Sequence, residues 1–73
     1  MFFINDKAGV AFERNEAGVV RFSPEDKDFT VVASAEERAK FAYGPGIRRV
    51  MEEEALAFME AKLASSGTVA PAA

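Results

Sequence analysis

The first half of the chain alternates short apolar runs with turn signals, and the second half changes to a longer repeat. Residues 9–14 and 18–22 read as two strands joined by Asn15-Glu16-Ala17, a three-residue connection closed by Gly18, which accepts the positive φ of a bulged hairpin turn. At a period of two, Val10 and Phe12 share one face. Val20 and Phe22 share a face on the partner strand, while Glu13, Val19 and Arg21 point elsewhere. The polar turn Ser23-Pro24-Glu25-Asp26-Lys27-Asp28 leads into a third, β-branched run over 29–33. The pattern predicts a small antiparallel meander of three strands, to which residues 2–4 add a short fourth.

Helical signals begin at Ser34. Ser34-Ala35-Glu36-Glu37 matches a capping box and predicts a short helix over 35–43, stopped by Gly44-Pro45-Gly46. A longer helix is predicted over 47–64, rich in alanine, glutamate, leucine and methionine, and ended by Ser65-Ser66-Gly67. On a helical wheel Ile47, Val50, Met51, Phe58 and Ala61 form one stripe, the expected core face, with Leu56, Met59 and Leu63 nearly opposite. That second face is either covered internally, a partner groove or a dimer seam. Glu54 falls within the first stripe and needs a cation, for which Arg21 and Lys40 are candidates. The expected class is therefore α+β: a three- or four-stranded meander packed against a long C-terminal helix, with a short helix before it. Residues 1–64 form one domain in this reading, and 65–73, small residues with Pro71, a disordered tail.

Charge refines the picture. Residues 1–50 carry eight basic and eight acidic side chains, so the net charge of -3 arises after Val50, where Glu52, Glu53, Glu54 and Glu60 face only Lys62. Such a balance lacks the footprint of a duplex-DNA binder, and direct sequence-specific nucleic-acid contact is not expected. No apolar run approaches the roughly 20 residues that cross a bilayer, and no signal peptide is visible, so a cytoplasmic location is expected.

Chemistry is sparse. The 73 residues contain neither cysteine nor histidine, which removes disulfides, zinc sites and cysteine–histidine pairs. The hydroxyls of Ser23, Ser34, Ser65, Ser66, Thr30, Thr68 and Tyr43 lack a histidine base and read as turn, cap and strand positions. Glu25-Asp26-Lys27-Asp28 lacks the spacing of an EF-hand loop, and Gly44-Pro45-Gly46-Ile47-Arg48-Arg49 lacks a phosphate-loop pattern. No enzyme activity, metal or cofactor is expected. Arg48 and Arg49 are disfavoured at a helix N-terminus, and pairing with Glu52 and Glu53 or with an acidic partner would account for them. Of the seven phenylalanines, about five can be buried in a domain of this size.

Met1-Phe2-Phe3-Ile4-Asn5-Asp6-Lys7, Phe41-Ala42-Tyr43-Gly44-Pro45-Gly46-Ile47-Arg48-Arg49 and the overall length resemble the small RNA polymerase-binding transcription regulators of lytic bacteriophages that infect Xanthomonas. The resemblance covers the whole chain. It implies a protein of the infected cytoplasm that binds host RNA polymerase at the N-terminal part of the β′ subunit, with a second contact on the β subunit. It further implies inhibition of initiation at host promoters by weakened σ-factor retention, and antitermination; the chain is expected to be a monomer. The expected main contact is the sheet surface carrying Phe3, Lys7, Arg14 and Arg21, with Leu56, Met59 and Leu63 as a second, weaker one. Two rival readings stand beside it: a homodimeric or adaptor domain with its seam on the long helix, and an inhibitor that covers an enzyme's basic site with Glu52, Glu53 and Glu54.

Overall fold

A computed structural model describes residues 1–67. The chain is an α+β protein with a five-stranded antiparallel sheet, one strand more than the largest number expected. In chain order the strands are β1 (Phe2–Asn5), β2 (Val10–Asn15), β3 (Gly18–Ser23), β4 (Asp28–Val32) and β5 (Ile47–Val50), and they lie side by side as β4-β3-β2-β1-β5. Helix α1 (Ala35–Glu37) runs on as a π-helical segment (Arg38–Ala42), and α2 (Glu52–Gly67) closes the described chain.

The fifth strand is the main departure from the helical reading of 47–64. Gly44 and Gly46 take φ of 112° and 89°, reversing the chain so that Ile47 returns beside Asn5, with pairing from Asn5↔Ile47 to Phe2↔Val50. Asp6 N–H donates to the Gly46 carbonyl at 3.3 Å and fixes this return. β-Branched Ile47 and Val50 suit a strand, while three glutamates in the first turn of α2 suit the positive end of a helix that begins five residues later. Helix α2 also continues to Gly67, so residues 65–67 belong to it. The remainder of the expected tail, 68–73, lies outside the described residues.

Moving the helix start rotates its core face, although Phe58 of the expected stripe stays on it. Ile47 and Val50 drop out of the stripe they seeded, and Met51 is 74% exposed. Ala55 is buried, and Leu56, Met59 and Leu63, with Phe58, pack against Ile4, Ala11, Val20, Phe22, Phe29 and Val50. The internal alternative for the second apolar face is the one realised.

The sheet is covered on both sides. Phe12, Val19, Ala33, Phe41 and Ala42 form a second core on the opposite face, bordered by Phe3, Val10 and Ile47. Consecutive Ala11 and Phe12, and consecutive Val19 and Val20, are therefore all buried, which explains apolar runs that ignore strict alternation. The capping box forms as expected, with Glu37 N–H donating to Ser34 Oγ at 3.1 Å and Ser34 N–H donating to Glu37 Oε1 at 3.0 Å. The β2–β3 hairpin is tighter than expected: Asn15 pairs with Gly18 around the two-residue loop Glu16-Ala17, and Gly18 has the anticipated positive φ, 117°.

Candidate partner-binding surface

Strands β1, β2 and β5 place alternate side chains on the face opposite α2. Phe3 is cross-strand neighbour of both Phe12 and Arg49, so these three share that face. The Phe3 and Phe12 rings stack with centroids 5.5 Å apart, and Phe12 meets Phe41 at 5.3 Å. Two residues along β2, Arg14 projects over this aromatic floor. Its guanidinium carbon lies 5.2 Å from the Phe3 centroid, 5.9 Å from Phe12 and 5.7 Å from Tyr43. One Nη2–H donates to the Ala42 carbonyl at 2.8 Å.

Arg14 is nevertheless exposed, and so is Tyr43, at 59%. A guanidinium held between three rings and a carbonyl has lost most of its rotamer freedom before any partner arrives. Met1 pairs with Arg14 through both backbone bonds, Arg14 N–H to Met1 O at 2.8 Å and Met1 N to Arg14 O at 3.1 Å, which brings its half-exposed side chain beside the cage. On the far side of Tyr43, Lys7 and Lys40 border a hollow of about 320 Å³ that also includes Asn5 and Pro45. Arg14, Arg49, Lys7 and Lys40 thus give an acidic chain one basic, aromatic face.

Of the expected contact residues, Phe3, Lys7 and Arg14 converge on this face. Arg21 instead engages the capping box of α1, where its Nε lies 2.8 Å from Glu37 Oε2, and its Nη1 donates to the Phe22 carbonyl at 3.4 Å. Hydrogen bonding from the Ser34 backbone, with Arg21 beside it and against a smaller cost of desolvation, holds the Glu37 carboxyl below the usual carboxylate range. Leu56, Met59 and Leu63 lie against the sheet, away from the basic face. Sequence reasoning missed Tyr43, Arg49 and Lys40 as members of this surface; Arg49 carried a signal, since a cation at that point is awkward in a helix and ordinary in a strand.

Elsewhere Arg48 links two carboxylates. Arg48 donates from Nε to Asp6 at 2.8 Å and from Nη1 to Glu54 at 2.9 Å, so Glu54 finds Arg48 where Arg21 or Lys40 was expected. Those two carboxylates push the Arg48 guanidinium above its ordinary pKa. Neither expected pairing, to Glu52 or to Glu53, is the one formed by Arg48. The β3–β4 turn closes on itself, with Thr30 Oγ1 donating to Asp26 at 3.1 Å and Phe29 N–H to Asp28 at 2.7 Å. Among the described residues no group of three or more acidic side chains is placed to hold a metal, and no helix is long and apolar enough to cross a membrane. Comparison with known proteins finds no matching family model, no similar curated protein and no similar solved structure.

Proposed function

We propose that this chain is a non-enzymatic regulator that binds host bacterial RNA polymerase through the basic, aromatic face around Arg14. One observation carries the reading. The two stretches on which the resemblance to phage transcription regulators rests, residues 1–7 and 41–49, are far apart in sequence and adjacent in space. Strand β1 pairs with β5, and Asn5 Nδ2–H donates to the Phe41 carbonyl at 2.8 Å. Together they supply Phe3, Lys7, Tyr43 and Arg49, the ring-and-cation composition favoured at binding hot spots. The partner surface is acidic with apolar relief, and the N-terminal part of the β′ subunit is the proposed location. Occupancy there weakens σ retention, inhibiting initiation and favouring passage through terminators, provided the protein binds polymerase states with unequal affinity.

Purified bacterial polymerase, with and without σ, tests this. The tagged chain is expected to capture both forms and to lower the σ content of the captured enzyme. Arg14→Glu combined with Lys7→Glu is expected to abolish capture while leaving the circular dichroism spectrum unchanged. Undiminished capture by a folded double variant removes this face from the interface, and absence of capture by the wild-type chain removes polymerase as the partner.

A further inference from the structure

The sheet is forked between its two longest strands. Pairing of β2 with β3 ends at Phe12↔Arg21, although β2 begins at Val10 and β3 continues to Ser23. Each strand stays paired on its other side, Val10 and Ala11 with β1, Phe22 and Ser23 with β4. At the same level the β3–β4 pairing shifts register between Arg21 and Phe22, with Thr30 the extra residue of β4. The Ala11 N–H finds the Met59 thioether sulfur at 3.2 Å, a weak acceptor, and the Phe22 carbonyl takes the long 3.4 Å bond from Arg21 Nη1. Arg21 Nε, buried and close to Glu37, makes no hydrogen bond of adequate alignment.

The fork opens a cleft of about 510 Å³ that reaches both layers, with Phe41 from the π-helical side and Met59 from α2. Val10 and Phe22 complete the apolar lining, and Arg21, Lys40 and Glu37 are its charged members. That size is within the range of small-molecule sites, and an apolar slot with a few convergent polar groups is their usual composition. Glu37 Oε1 is bonded within its own cap and Oε2 lies 2.8 Å from Arg21, so the one carboxylate offsets Arg21 and Lys40 supplies the surplus positive charge.

We propose that this fork is a binding site for a small amphipathic carboxylate. The carboxylate lies at Arg21 and Lys40, and its aliphatic or aromatic body runs between Val10, Phe22, Phe41 and Met59. A bound carboxylate brings a counter-charge to Lys40 and joins Glu37 beside Arg21, and apolar surface at the fork leaves water. This site shares Lys40 and Phe41 with the border of the basic face but not Arg14 or Tyr43, and it does not depend on the polymerase reading.

Titration of the chain labelled with ¹⁵N and with ¹³C-methyl methionine by sodium octanoate, followed by heteronuclear NMR, is the test, with 1-octanol and octylamine as probes of the head group. The expected result is saturable shifts centred on the amides of Ala11 and Phe22 and on the Met59 methyl, with octanoate bound about tenfold more tightly than the alcohol and octylamine weakest. Lys40→Gln, at an exposed position, and Arg21→Gln are each expected to weaken octanoate several-fold. If Arg21→Gln impairs folding, Lys40→Gln alone decides. Shifts that do not saturate at millimolar octanoate, shifts centred away from the fork, or equal affinity for octanoate and octylamine overturn the proposal.

Discussion

Asn5 bridges the first strand to the π-helical segment. Its Nδ2–H donates to the Phe41 carbonyl at 2.8 Å, its Oδ1 accepts from Ala8 N–H at 3.0 Å, and the residue is only 4% exposed. Both ends of one amide are thus satisfied inside the second core, and the bond fixes the segment that carries Tyr43 to the strand that carries Phe3. Asn5→Ala leaves the Phe41 carbonyl buried without this donor, a cost of about 2 kcal/mol, or a fall in Tm of roughly 10 °C for a domain of this size. Asn5→Asp removes the donor at neutral pH and restores one on protonation, so its stability deficit is expected to shrink in acid. Thermal melts of the two variants at neutral and acid pH check both statements; a pH-independent deficit for Asn5→Asp contradicts them.

Leu56 separates two readings of the long helix. In the structure it packs on the sheet with Met59 and Leu63. A charge placed there is desolvated, and Leu56→Asp is expected to cost about 3 kcal/mol, a large part of the roughly 4–11 kcal/mol typical of a chain this long. The wild-type chain is expected to sediment as a monomer at micromolar concentration, and the variant to lose cooperative melting. A variant that melts like wild type while converting a dimer to monomer would instead place Leu56 in a seam.

The same residue shows why only part of the fold was legible. Hairpin β2–β3, strand β4, the capping box and the turn at Gly44-Pro45-Gly46 all rest on local chemistry, which a sequence displays directly. Strand β5 does not: Ile47-Arg48-Arg49-Val50 is too short for its period to be read, and its pairing with β1 spans more than forty residues. Reading it as helix shifted the assumed core stripe and sent Leu56, Met59 and Leu63 to the wrong side. The corrective signal was electrostatic, since Arg48 and Arg49 oppose a helix N-terminus and Glu52, Glu53 and Glu54 favour one. At the surface, Phe3, Lys7 and Arg14 were recognisable as ring and cation candidates, but the joining of Tyr43 to Arg14 depends on tertiary return and had no local sign.

Glu37 makes a distinct pH prediction. Its carboxyl titrates below the ordinary value of 4.5 in the folded chain, chiefly because the Ser34 backbone N–H bonds it, with Arg21 assisting. Below 4.5 the unfolded chain therefore holds more protons at this position than the folded one, and stability falls as pH falls. Its contribution is complete above that value and is lost as pH passes down through the lowered folded value. Ser34→Ala keeps the backbone donor but removes the hydroxyl that accepts from Glu37 N–H, loosening the reciprocal cap at about 1 kcal/mol. The Glu37 carboxyl resonance is expected to titrate higher in Ser34→Ala, and the acid fall in urea midpoint to be shallower. An unchanged titration would detach the carboxyl's shift from the cap.

Arg14 and Tyr43 supply the sharpest test of the proposed interface because charge and shape can be separated there. Arg14→Lys keeps the positive charge but replaces the planar group that lies over Phe3 and Tyr43 and reaches the Ala42 carbonyl. If the face works only by long-range attraction, Arg14→Lys binds polymerase like wild type and loses affinity with salt to the same degree. If the caged guanidinium is an anchor, the substitution weakens binding roughly tenfold, about 1.4 kcal/mol, mainly through faster dissociation. Tyr43→Ala is expected to weaken binding to a similar extent with little change in Tm, because the ring is largely exposed. Since both substitutions disturb one contact between Arg14 and Tyr43, the double variant is expected to lose less than the sum of the two. Surface plasmon resonance with immobilised polymerase, at two salt concentrations, reads all four proteins; strict additivity would show that the cage does not act as a unit.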